Sequence, residues 1–199
     1  MKAAKYIFLA VTLSFCSCSY SKKETSANSE EAENFFSKNL NPGKPFFAFD
    51  AVDYYKSDID ENTAMNLVNT QSPILDSIKY NLIIDETSEN ISDEYFVNNL
   101  TKAGYKKTEI NSADFQQITN LFSEQPEREG LYFACIPIFR DILVFKKNEK
   151  VIGAAKICFG CNDYKIIGTN ANTKNFGQGK DYEILSLILN KYTDKNQKK

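Results

Sequence analysis

The chain has 199 residues, 24 basic and 26 acidic, with neither histidine nor tryptophan. Without imidazole, Ser-His-Asp and Cys-His catalysis are excluded, as are zinc sites of the Cys₂His₂ or His₃ kind. Charges of both signs are mixed along the chain, which leaves no electrostatic footprint for nucleic acid.

The amino terminus has the layout of a secretory signal. Lys2 and Lys5 precede an apolar stretch from Tyr6 to Phe15, and Phe15-Cys16-Ser17-Cys18 follows. A stretch of about ten residues is short for a permanent span, which needs roughly 20. The small Ser17 before Cys18 is the lipoprotein pattern, whereas Cys16 would put bulky Phe15 at the cut. Residues 1–17 therefore read as a lipoprotein signal peptide and Cys18 as the lipidation site. Two or three acyl chains would hold the protein to a membrane without a transmembrane helix. Removing Lys2 and Lys5 leaves 22 basic against 26 acidic residues, a net charge of −4.

Residues 18–33 are rich in Ser, Lys and Glu and lack large aliphatic side chains. They cannot bury enough apolar surface to offset the entropy of ordering, and read as a flexible tether. Residues 34–194 form one α+β domain, and the lysine-rich 195–199 a disordered basic tail. Glu30 to Leu40 suggests a short helix stopped by Pro42-Gly43. Phe46 to Tyr55 reads as one or two strands. Asp60 or Asn62 caps a helix carrying Ala64, Leu67 and Val68. Ser72-Pro73 marks a break, and the run Ile78 to Ile84 reads as a strand.

Ser92 caps a helix with Phe96, Leu100 and Ala103 on one face, ended by Gly104. Lys106 to Ile110 is a short strand. Asn111 or Ser112 caps a helix with Phe115, Ile118 and Phe122. Leu131 to Phe145 and Val151 to Phe159 form a hairpin around a two-residue turn at Asn148-Glu149. That register sets Lys147 opposite Lys150, Asp141 opposite Lys156 and Cys135 opposite Asn162. Both faces of Ile142 to Phe145 are apolar, which places this strand centrally. Tyr164 to Ile167 adds a third strand, and Asp181 caps a last helix with Leu185, Ile188, Leu189 and Tyr192 at helical spacing. The expected architecture is an antiparallel meander with helices packed on one face.

Three cysteines remain in the domain. A bridge between Cys135 and Cys161 needs a one-residue bulge in that register and leaves Cys158 free and buried; a Cys135–Cys158 bridge is the alternative. The C-x-x-C spacing Cys158-Phe159-Gly160-Cys161 also admits a redox dithiol, although no helix N-terminus follows to activate the first thiol. A metal site on Cys135, Cys158 and Cys161 is one ligand short of a structural zinc. Asp50, Asp53, Asp58, Asp60 and Glu61 cluster, but the calcium-loop spacing that begins at Asp58 lacks its later glycine and glutamate. They read as a solvated loop. Phe46-Phe47 and Tyr54-Tyr55 read as strand residues rather than a ligand platform.

The strand Arg140-Asp141-Ile142-Leu143-Val144-Phe145, the strand Ile157-Cys158-Phe159-Gly160-Cys161, the upstream Cys135 and the final amphipathic helix together resemble a module of uncharacterised Bacteroidota lipoproteins. The resemblance covers about sixty residues, from 131 to 192, with the signal. It implies location and domain class and carries over no catalytic residue. The reading is a lipid-anchored cell-envelope protein of the outer membrane, facing periplasm or surface. It is a binding or structural module with no cofactor, whose partners are the membrane and a protein or cell-surface ligand. The alternative is a thiol-redox or metal-binding envelope protein using Cys135, Cys158 and Cys161.

Overall fold

The computed structural model describes residues 43–69, 74–84, 91, 93–126 and 135–193. The signal peptide, Cys18, the tether, the helix expected at 30–40, the break at Ser72-Pro73, Ser92 and the basic tail lie outside these residues. The described chain runs β1 (Ala51–Lys56), α1 (Glu61–Asn69), α2 (Ile74–Ile83), a π-helical turn (Asp93–Val97) leading into α3 (Asn98–Lys102), β2 (Lys106–Glu109), a 3₁₀ turn (Ser112–Asp114) leading into α4 (Phe115–Leu121), β3 (Asp141–Lys147), β4 (Lys150–Cys158), β5 (Asp163–Ile167) and α5 (Asp181–Thr193). The strands form one antiparallel sheet in the order β2-β1-β3-β4-β5. The α+β class and the antiparallel sheet thus match the sequence reading. The meander is limited to β3, β4 and β5, because β2 reaches its place on the far side of β1.

The central strand decides the layering. Asp141–Lys147 is buried from Asp141 to Phe145, and alternation sends Ile142 and Val144 to one face and Leu143 and Phe145 to the other. Ile142, Val144, Tyr55 and Ala154 pack with Ala64 of α1, Leu82 and Ile83 of α2 and Leu100 of α3. Leu143, Phe145, Val52, Tyr54, Ala155 and Ile157 pack with Ile118 and Leu121 of α4 and with Leu185, Ile188 and Leu189 of α5. The helices therefore divide between the two faces instead of gathering on one. A strand apolar on both sides requires a cover on both sides.

Local signals explain most element ends. The Asp60 carboxylate accepts the Thr63 backbone N–H at 2.9 Å and its hydroxyl at 2.6 Å, starting α1. Those bonds, the side-chain one foremost, hold the Asp60 carboxyl below the usual carboxylate range. Gly104 stands at φ 90°, and the N–H groups of Gly104 and Tyr105 donate to the Thr101 and Leu100 carbonyls, closing α3. Asn111 Oδ1 accepts the Ala113 N–H at 2.9 Å and starts the 3₁₀ turn. Gly153 lies under the Phe47 ring, where a Cβ would come within 2.0 Å of Phe47 Cε1. A side chain at that point of β4 would displace the aromatic ring stacked on Phe145.

Three expectations are corrected. The run Ile78 to Ile84 is not a strand but the body of α2 and the residue after it. Leu82 and Ile83 are buried while Tyr80 and Asn81 face out, so helical spacing prevails over the β propensity of isoleucine and tyrosine. The hairpin turn at Asn148-Glu149 forms, with Lys147 opposite Lys150, but a bulge between Phe145 and Lys146 shifts the ladder beyond it. Asp141 then faces Ile157, and Lys156 faces Ile142. Finally, β3 starts at Asp141, so Cys135 to Arg140 stand outside the ladder. Pro137 has no N–H to give a ladder, and the Phe139 N–H turns instead to the Ile83 carbonyl at 2.8 Å.

Candidate functional site

The cysteines meet where the approach to β3 passes the β4–β5 turn. The sulfurs of Cys135 and Cys161 stand at bonding distance, 2.07 Å, with Cα atoms 6.2 Å apart. Both residues sit outside strands, so the pair does not arise from a one-residue adjustment of the hairpin ladder. The bulge that exists moves the register the other way. Cys158 ends β4 as a free, buried thiol, and its Sγ accepts the Ile138 N–H at 3.3 Å. Cys161 Sγ lies 3.6 Å from the Ile136 carbonyl oxygen. The bridge takes up two of the three thiols, which leaves no three-thiolate metal set in this state. Among the described residues, no three Cys, Asp or Glu side chains converge in metal-ligating positions.

Beside Cys158 lies Tyr182, whose buried hydroxyl has no hydrogen-bond partner among the described residues. Burial pushes its phenol well above the ordinary value, and Asp163, Tyr164, Cys158 and Asp181 act in the same direction. Its ring makes an edge contact with Phe159, at 6.3 Å between centroids.

The acidic residues disperse into pairings made by the fold itself. Asp53 is 3% exposed and is approached by Lys146 at 2.5 Å and Lys107 at 3.1 Å. Asp58 pairs with Lys106 at 2.6 Å, and Asp50 accepts the Asn148 N–H at 2.9 Å. Asp141 accepts the Tyr54 hydroxyl and, at 3.0 Å, the Lys56 ammonium. Its cation therefore comes from the neighbouring strand β1 and not from Lys156. Burial first, then the Asp141 carboxylate, pushes the Tyr54 phenol far above its ordinary value. Asp114 accepts the Tyr192 hydroxyl at 2.5 Å and Lys191 at 2.9 Å, tying α5 to the 3₁₀ turn.

Lys156 is the residue that sequence reasoning misplaced. It is 0% exposed. Its Nζ donates to the Asn81 carbonyl at 2.9 Å and stands 4.6 Å from the Phe139 ring centroid. Asn81 lies in the last turn of α2, a turn that carries no basic residue. A cation at a helix C-terminus meets the negative end of the macrodipole and unused carbonyls. The signal was present in the sequence: a lysine inside the apolar run Gly153-Ala154-Ala155-Lys156-Ile157-Cys158 needs a partner in the core.

The aromatic pairs belong to the core: Phe46, Phe47, Tyr54 and Tyr55 are each 5% exposed or less. An open recess of about 270 Å³ lies between Pro45, Phe47, Ala48 and Phe49 on one side and Phe115, Gln116 and Thr119 of α4 on the other, with no ionisable side chain in its lining. No described helix is long and apolar enough to cross a membrane. Comparison with protein-family models, with curated proteins and with solved structures finds no match to this chain.

Proposed function

We propose that the chain is a lipid-anchored protein of the cell envelope, held through Cys18, whose α+β domain serves as a binding or structural module rather than an enzyme. The reading rests on the basic start, the short apolar stretch and the Ser17-Cys18 junction. The domain is compatible with this role. The buried carboxylates of Asp53, Asp114 and Asp141 are engaged by lysines and tyrosines of the fold, and its described recess offers apolar surface without an acid or base. Such a recess suits an apolar group of a protein or cell-surface ligand.

Metabolic labelling of the full-length chain with an alkynyl fatty acid tests the anchor. The wild-type protein takes up the label and sediments with membranes, while Cys18→Ala loses both properties and Cys16→Ala keeps them. An unlabelled wild-type protein, or a Cys18→Ala protein that still sediments with membranes, overturns the reading.

A further inference from the structure

We propose that Cys158 is the exchange partner of the Cys135–Cys161 bridge, so that the three cysteines form one set with two covalent states. This goes beyond the anchor and does not depend on it. A buried free cysteine alone is a small apolar side chain. Here three observations set it apart.

First, the Cys158 and Cys161 sulfurs contact the same short stretch of chain, Cys158 at the Ile138 N–H and Cys161 at the Ile136 carbonyl, so the two flank Pro137. Second, Cys158 and Asp163 are the last cross-strand pair of β4 and β5, so Phe159 to Asn162 is a tight connection. Residues three apart around a β-turn come within about 7 Å, which overlaps the Cα range of about 4.4–6.8 Å that a disulfide spans. A Cys158–Cys161 bond can thus form inside the turn while the strands stay paired. Third, Cys135 is exposed and belongs to no strand, so its release costs no ladder hydrogen bond.

The step is thiol–disulfide exchange. Cys158 loses its proton, and its thiolate attacks Sγ of Cys161. The Cys158–Cys161 bond forms as the Cys135–Cys161 bond breaks. The electron pair leaves on Cys135, which takes up a proton. One disulfide is made and one is lost, so no external oxidant or reductant enters. The first state ties the approach of β3 to the β4–β5 turn. The second frees that approach and presents an exposed Cys135 thiol beside Ile136, itself 47% exposed. That thiol suits a mixed disulfide with a cysteine of a partner protein.

The test uses the full-length oxidised protein, alkylated with iodoacetamide under native conditions and mapped as unreduced peptides. Alkylated Cys135 and a Cys158–Cys161 peptide accumulate together. Their rate rises with pH, because the thiolate is the attacking species in disulfide exchange. Cys158→Ala reduces alkylation of Cys135 at least about tenfold, because the thiolate that performs the exchange is gone. The proposal is overturned if Cys135 is alkylated equally in Cys158→Ala. It is also overturned if the Cys135–Cys161 peptide stays intact while only Cys158 is alkylated. Cys135→Ser gives a check that does not rely on Cys158→Ala folding: oxidised glutathione should close Cys158–Cys161 in the folded variant. Two persistent free thiols there would sink the idea.

Discussion

The two faces of the sheet are built on different principles, although one strand furnishes both. On the α4–α5 face, Phe145 stacks on Phe47 with centroids 4.4 Å apart and meets Phe122 at 5.1 Å and Phe49 at 5.3 Å. Phe176 adds contacts to Phe122 and Tyr164. On the α1–α3 face the same strand presents Ile142 and Val144 to a mixed layer of leucines, isoleucines and alanines with Tyr55, Phe96 and Tyr105. That side also carries a fully buried cation, Lys156. Aromatic rings gain area and edge or stacking geometry together, so the first face depends on shape. The second depends on satisfying one buried cation inside an apolar layer, where an unpaired donor or acceptor is costly.

Removing the hub of each face separates these principles. Phe145→Ala deletes a ring with three aromatic neighbours and leaves a cavity, and should cost about 3–5 kcal/mol in urea unfolding. A loss under about 1 kcal/mol would mean that the rings around it close the gap. Lys156→Met keeps the stem that packs in the layer and removes the ammonium from the Asn81 carbonyl. It should cost about 1.5–3 kcal/mol, the range for losing a hydrogen bond made by a charged group. A variant more stable than wild type would show that burying the charge outweighs what it satisfies.

The aromatic face also carries a pH signature. Burial, then the hydrogen bond to Asp114, pushes the Tyr192 phenol up to about 12 from its ordinary 10.0. The folded state holds that proton more tightly than the unfolded chain. Its contribution is therefore full below about pH 10 and is lost as pH rises towards 12. Tyr192→Phe should cost about 1–2 kcal/mol at neutral pH, as loss of a hydrogen bond to a carboxylate does. It should also flatten the alkaline limb of a stability–pH curve. An unchanged limb would assign that limb to the other phenols that burial raises, Tyr54, Tyr55, Tyr105 and Tyr182.

How far these faces were legible in the sequence depends on whether the signal was local. The α5 stripe of Leu185, Ile188, Leu189 and Tyr192, the Gly104 stop and the Asn148-Glu149 turn rest on spacing and backbone preference, and all are found in the fold. The double-sided burial of Ile142 to Phe145 was visible too, but which helices cover which side depends on chain crossings that no window of sequence records. The α2 segment was misread because isoleucine and tyrosine favour strands locally, whereas contacts with α3 and β3 decide its state. The expected Asp141–Lys156 pair does not form because the bulge at Phe145/Lys146, which has no local mark in the sequence, shifts the ladder. The juxtaposition of Cys135 and Cys161 was expected from a ladder that ends before either cysteine. The actual route, past Pro137 to the β4–β5 turn, is tertiary.

The smallest expected effect lies at the turn that joins the two faces. Asn148 and Glu149 stand at φ 48° and 65°, the pair of left-handed residues that a two-residue type I′ hairpin requires. Asparagine adopts this region readily. Glutamate has no such compensation, and the left-handed backbone costs an L-residue about 1–2 kcal/mol. Glycine removes that strain but loses about 0.5–1 kcal/mol more chain entropy on folding. Glu149→Gly should therefore stabilise the protein by about 0.5–1 kcal/mol, a rise in Tm of roughly 2–4 °C per kcal/mol for a chain of this size. Glu149→Ala keeps the strain and should leave Tm nearly unchanged. If glycine lowers Tm below that of the alanine variant, the left-handed strain at residue 149 is smaller than the chain entropy that glycine loses on folding.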